Sequence, residues 1–215
     1  APTLAVPLLD QTTAQGTPLT YQFAAGSFAD VDIIYGDSLT YTASGNPTWF
    51  AFTPATRTFS GTPGAADVGG PYNIVVRATD SQAAYVQDTF TLTVTNVNDN
   101  PVLTVPLSDQ TATQGVAFTF TAGLNFFDID VPSYDTLTYL ATGAPAWLTF
   151  NTSTGTFSGT PTNADVTQLG GPVPVTVRAT DSDGRSVEDT FTVTVNPVGD
   201  PPVLVHPLGQ LRADA

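Results

Sequence analysis

The chain is written twice, and that constrains its fold more than any other feature of the sequence. Leu4-Ala5-Val6-Pro7-Leu8 returns as Leu103-Thr104-Val105-Pro106-Leu107, and Asp10-Gln11-Thr12 as Asp109-Gln110-Thr111. Leu39-Thr40-Tyr41 returns as Leu137-Thr138-Tyr139, and Thr58-Phe59-Ser60-Gly61-Thr62-Pro63 as Thr156-Phe157-Ser158-Gly159-Thr160-Pro161. Arg77-Ala78-Thr79-Asp80-Ser81 closes the series as Arg178-Ala179-Thr180-Asp181-Ser182. The period of about 100 residues is that of one β-sandwich and far exceeds a solenoid unit. Domain boundaries are therefore expected at 1–100 and 101–200. Residues 201–215 then hold the start of a third copy, Val203-Leu204-Val205-His206-Pro207-Leu208, or a tail.

Inside each copy apolar residues alternate. Leu19, Tyr21 and Phe23 share one face, as do Ile74 with Val76 and Phe90 with Leu92 and Val94. Alternation over four to eight residues marks half-buried strands. The breaks are turn formers such as Gly45-Asn46-Pro47 and Gly69-Gly70-Pro71. No segment carries a convincing 3.6-residue period. An all-β chain of two tandem Greek-key sandwiches is expected, with Trp49 and Trp147 anchoring equivalent places in the two cores.

Charge removes whole classes of function. The chain has eighteen aspartates, one glutamate (Glu188), five arginines and no lysine, for a net charge of −14. Nothing could neutralise a run of phosphates, so nucleic acid is excluded as a partner. No stretch approaches the roughly 20 apolar residues of a membrane helix. Cysteine is absent, which removes disulfides and thiolate chemistry. With no lysine and a single histidine, His206, neither an amine nucleophile nor a Ser–His pair is available inside a repeat, and no enzyme is expected.

The aspartates recur at matching places. Asp30-Val31-Asp32 and Asp128-Ile129-Asp130 follow the second strand, Asp37 and Asp135 precede the next, and Asp80 and Asp181 end the Arg-Ala-Thr strand. Asn96-Val97-Asn98-Asp99-Asn100 lies between the copies. An isolated Asp-x-Asp is an ordinary Asx-turn. Recurrence in both copies favours a hard cation that accepts six to eight oxygens, which is calcium in preference to magnesium.

These residues carry a family resemblance across nearly the whole chain. Asn98-Asp99-Asn100-Pro101 resembles the cadherin interdomain calcium motif. Leu39-Thr40-Tyr41, Trp49-Phe50 and Thr58–Pro63 resemble the dystroglycan-type cadherin-like domains of bacterial secreted proteins and adhesins. The resemblance implies a cadherin/Ig-like sandwich pair joined by a short calcium-binding linker. It places Asn98, Asn100, Asp128, Asp130 and Asp181 at a junction site, and Asp30, Asp32 and Asp80 at a weaker site in the first copy. Asp99, Asp37 and Asp135 are reserve ligands. The acidic motifs through which a preceding cadherin domain contributes to a shared calcium cluster are missing, so one or two ions are expected instead of three. Gly199-Asp200-Pro201-Pro202 has lost both asparagines, and a junction there is expected to bind poorly.

The function so implied is an extracellular, bacterial, calcium-stiffened stalk whose partners are neighbouring repeats of the same chain. Two other roles stay open: polysaccharide binding, with Tyr85 and Tyr134 as stacking rings, and homophilic cell–cell adhesion.

Overall fold

Alternating faces become two facing sheets in each repeat. The computed structural model describes residues 1–199; His206 and the rest of the stretch expected to hold the start of a third copy or a tail lie outside the described residues. In the first repeat, Gln11–Ala14, Tyr85–Thr95, Gly69–Thr79 and Thr40–Ser44 pair in that order, and the opposite sheet is Leu19–Gln22, Thr58–Gly61 and Ala51–Thr53. A two-stranded ribbon, Thr3–Leu4 with Phe28–Ala29, closes one end. The second repeat reproduces this order strand for strand: Gln110–Thr113, Ser186–Asn196, Val173–Thr180 and Thr138–Thr142 against Phe118–Thr121, Thr156–Gly159 and Leu148–Asn151. Among the described residues no helix is long and apolar enough to cross a membrane.

Register explains the cores. Tyr21 pairs with Phe59 and Phe59 with Phe52, which lays three aromatic side chains across one face. Ile74, Val76, Phe90 and Leu92 come down from the other sheet, all fully buried. Phe90 meets Phe59 edge-on with centroids 5.4 Å apart, and Phe191 meets Phe157 likewise at 5.6 Å. Such T-shaped pairs add about 0.5–1.5 kcal/mol beyond their buried area. Trp49 and Trp147 pack against these clusters while remaining partly exposed.

The Trp and the Gly of each Phe-Ser-Gly-Thr-Pro segment form one device. A Cβ on Gly61 would collide with the Trp49 carbonyl, and a Cβ on Gly159 with that of Trp147. Glycine is there because another backbone crosses it.

Two aspartates per repeat hold the leading segment to the last strand. Asp88 Oδ2 accepts from the Leu8 amide at 2.8 Å and Asp10 Oδ1 from the Thr91 amide at 2.7 Å. Asp189 with Leu107 and Asp109 with Thr192 repeat both bonds. These acids serve the fold and stand apart from the acidic clusters described below.

The repeats differ in three informative ways. Asn163–Leu169 forms a short α-helix where the first repeat has only the 3-10 turn Ala65–Asp67, within an otherwise all-β fold as expected. Seven residues are too few to display a period, and the Thr162–Asp165 capping bonds supply the start signal. The other two differences are backbone positions. Arg57 (φ 56°) and Ala83 (φ 66°) sit in the left-handed region, where the second repeat carries Gly155 (φ 65°) and Gly184 (φ 85°).

A left-handed L-residue costs roughly 1–2 kcal/mol. Ala83→Gly should therefore raise stability by about 1 kcal/mol, a rise of about 4–8 °C in the first domain's melting temperature. Gly159→Ala should lower the second domain's stability by about 2 kcal/mol or more. Calorimetric melting of the two variants checks both signs.

Candidate metal centre

Backbone geometry at the strand ends assembles the acids. In the first repeat Asp30 ends the Phe28–Ala29 strand and caps the 3-10 turn Val31–Tyr35, its Oδ1 accepting from the Asp32 amide at 2.9 Å. Gly36, at φ 97°, reverses the chain and delivers Asp37. Asp80 follows Gly69–Thr79, and its Oδ1 accepts from the Gln82 and Ala84 amides at 2.9 and 2.8 Å. Asp37 Oδ1 accepts from the Ser38 amide at 2.6 Å and the Ser81 amide at 3.1 Å.

One carboxylate oxygen from each of Asp30, Asp37 and Asp80 lies within 4.8 Å of the others. Asp30 Oδ2 is buried and accepts no hydrogen bond. Carboxylate charges this close repel one another, and five amide bonds to the Oδ1 atoms offset part of this. The loops hold together on their amides.

In the second repeat Asp128, Asp135 and Asp181 likewise offer oxygens within 4.8 Å of one another, all three buried. Asp181 Oδ1 accepts from the Arg185 amide at 2.7 Å, and Asp135 Oδ1 from the Thr136 amide. In Asp135 and Asp181 too, one oxygen serves its own loop.

The trios are not the ones that the spacing puts first. Asp37 and Asp135, ranked as reserves, belong to them; Asp32 and Asp130 stand outside. Asp32 is solvent-exposed. Asp130 is buried, its Oδ2 accepting from the Asp99 amide at 2.7 Å, so it engages the linker directly. Asn100 is exposed and its Oδ1 accepts from Arg185 Nη1 at 2.9 Å. Asn98 is half-buried. Asp99 Oδ2 accepts from Gln15 Nε2 at 2.6 Å.

Gln15 escapes the sequence reading, and Asn96 figures in it only as part of the linker. Gln15 Oε1 and Asn96 Oδ1 are buried and accept no hydrogen bond. Gln114, at the place of Gln15 in the second copy, uses its Oε1 to accept from the Val198 amide at 3.1 Å. The repeated Gln-Gly after the first strand, Gln15-Gly16 and Gln114-Gly115, is the signal that could have pointed to them.

The tyrosines are less inviting. Tyr85 is exposed, yet the Arg77 guanidinium carbon lies 3.3 Å from its ring centroid and covers one face. Tyr134 is exposed in the loop that carries Asp135.

The sequence model of the family described as a putative Ig domain matches residues 1–95 and again 100–196. The serine-rich adhesin for platelets of Staphylococcus aureus strain MRSA252 is 31% identical over 166 residues, covering 76% of this chain and 11% of the adhesin. The strain MSSA476 protein is also 31% identical over 166 residues, and there the match covers 7% of the adhesin. The chain thus spans about a tenth or less of the curated relatives that it matches. Human mucin-like protocadherin EC1-2 has a similar fold, with a TM-score of 0.64 at 14% identity over 92% of this chain and 99% of that one. Mouse cadherin-23 EC22-24 gives a TM-score of 0.53 at 19% identity over 74% of this chain and 53% of that one.

Acid should weaken the fold. Hydrogen bonds from Thr91, Thr192, Ser81 and Thr162 hold Asp10, Asp109, Asp37 and Asp165, respectively, below the usual carboxylate range. A depressed folded pKa gives stability above the unfolded value of about 3.9 that is lost as pH falls through the folded one. The urea midpoint should therefore fall steadily below about pH 4, and Asp10→Asn with Asp109→Asn should flatten that fall.

Proposed function

The chain belongs to the putative Ig domain family in both of its halves, and from that premise we propose a calcium-stiffened extracellular spacer within an adhesin-like surface protein. The carrying observation is the pair of carboxylate trios at matching positions in the two repeats. In the first repeat all three Oδ1 atoms are fixed by loop amides, and the Oδ2 of Asp30 is buried without a hydrogen-bond donor. Calcium suits such a set. It takes oxygen donors only, tolerates irregular geometry, and accepts carboxylates and amide carbonyls together.

In this reading Asp128, Asp135 and Asp181 hold the tighter ion, and Asp30, Asp37 and Asp80 the weaker. The second trio is wholly buried, whereas Asp37 is only half-buried. Asp130 ties the Asp99 backbone to the neighbouring loop. Asn98, Asn100, Asn96 and Gln15 are further oxygen donors along the linker, and neutral amides there favour an ion that binds weakly and reversibly. The consequence is mechanical: calcium stiffens the segment joining the repeats and shields the loops from proteases. Likeness to a staphylococcal adhesin supports a surface setting, where external calcium suffices for modules binding at about 10⁻⁴–10⁻³ M.

Calcium titrated calorimetrically into the intact chain should reveal two unequal sites. At about 2 mM calcium, a site with a dissociation constant near 10⁻⁴ M adds about 2 kcal/mol to its repeat. Asp128→Asn with Asp181→Asn should abolish the tighter site and leave the weaker. Identical melting curves with calcium and with chelator would overturn the proposal.

A further inference from the structure

Equivalent arginines in the two repeats have different neighbours. Arg178 is paired with Glu188 across the strands, its Nε 3.7 Å from Glu188 Oε2. Leu140 flanks it on the other side, and Ser186 stands diagonally opposite. In the first repeat Arg77 takes the place of Arg178. There Gln87 stands for Glu188, Thr42 for Leu140 and Tyr85 for Ser186. The counter-charge is gone and an aromatic ring has been added.

Arg77 lies between the buried Val76 and Ala78, so its side chain leaves the sheet on the outer face. Its guanidinium carbon is 3.3 Å from the Tyr85 ring centroid. Stacking holds the planar group by one face and leaves its N–H donors at the rim. Among the described residues Arg77 makes no ion pair, although the chain carries a net charge of −14. Gln87 and Thr42 directly beside it, and Thr40 and Thr89 on the diagonals, are uncharged amide and hydroxyl groups.

We propose that Arg77, held on Tyr85, binds the carboxylate of an acidic sugar, a sialic or uronic acid. A carboxylate accepts two donors of the guanidinium fork at once. The sugar's hydroxyls match the neutral groups around the arginine, which an acidic peptide leaves unused. Tyr85 positions the guanidinium here and is not a stacking platform for the sugar ring. The site goes beyond the spacer reading and uses neither carboxylate trio, so it works with calcium removed.

The test is titration of sialyllactose and of oligogalacturonate into the intact isotope-labelled chain in chelator, followed by nuclear magnetic resonance. Lactose and a short polyglutamate peptide are the controls. At least one acidic sugar should give saturable shifts at Arg77, Tyr85 and Gln87, and the tighter of the two identifies the source. Lactose and the peptide should each bind at least about tenfold more weakly. Arg77→Gln should cost at least about tenfold in affinity. Gln87→Glu should do the same while keeping the arginine, because it restores the cross-strand carboxylate found at Glu188. Both variants should melt as the parent does. No saturable shift from either sugar overturns the proposal, as does equal binding of lactose or of the peptide. Undiminished binding by Gln87→Glu also overturns it. Melting with and without calcium reads the spacer proposal separately.

Discussion

Each clustered aspartate has two oxygens, and the fold uses them differently. In Asp30, Asp37 and Asp80 one oxygen accepts from amides of its own loop, and in Asp37 from the Ser81 amide as well, which fixes the loop's shape and the carboxylate's direction. One oxygen of each carboxylate lies within 4.8 Å of the others. The turn and the ion site are consequently not competing explanations of these residues. The turn is what aims the site, and the Ser81 amide ties Asp37 to the loop that carries Asp80.

That arrangement also accounts for the preference for Asp over Glu. A carboxylate one methylene from the backbone can cap the turn that follows it, as Asp30 does for Val31–Tyr35. A longer side chain would reach past its own amides and lose the aim. The same economy serves the framework, where Asp10, Asp88 and their second-repeat partners pin the leading segment to the last strand.

Much of this is legible in the sequence, for stated reasons. Period-two alternation in Phe90-Thr91-Leu92-Thr93-Val94 admits one orientation against a core, and the strand lies that way. Recurrence of Gly61 and Gly159 beside recurring tryptophans marks a backbone crossing, although the crossing itself is a tertiary fact. The membership of the trios was harder to read. Asp-x-Asp looks like a pair, but Asp30 caps a turn that swings Asp32 into solvent, and Gly36 brings back Asp37 five residues later. In both copies an amide closes this detour, Asp37 to the Asp32 carbonyl and Asp135 to that of Asp130. Closeness along the chain gave way to loop closure. The left-handed Arg57 and Ala83 are illegible from the first repeat alone, and become readable only through the glycines that replace them in the second.

The central claim is that each trio converges on one cation. Crystals grown with terbium or another lanthanide in place of calcium test it most directly, by the position of the anomalous scattering peaks. The account predicts a strong peak within about 2.3–2.6 Å of Asp128, Asp135 and Asp181 oxygens, and a weaker one among Asp30, Asp37 and Asp80. Peaks confined to exposed acids such as Asp183 or Glu188, with neither trio occupied, would contradict it.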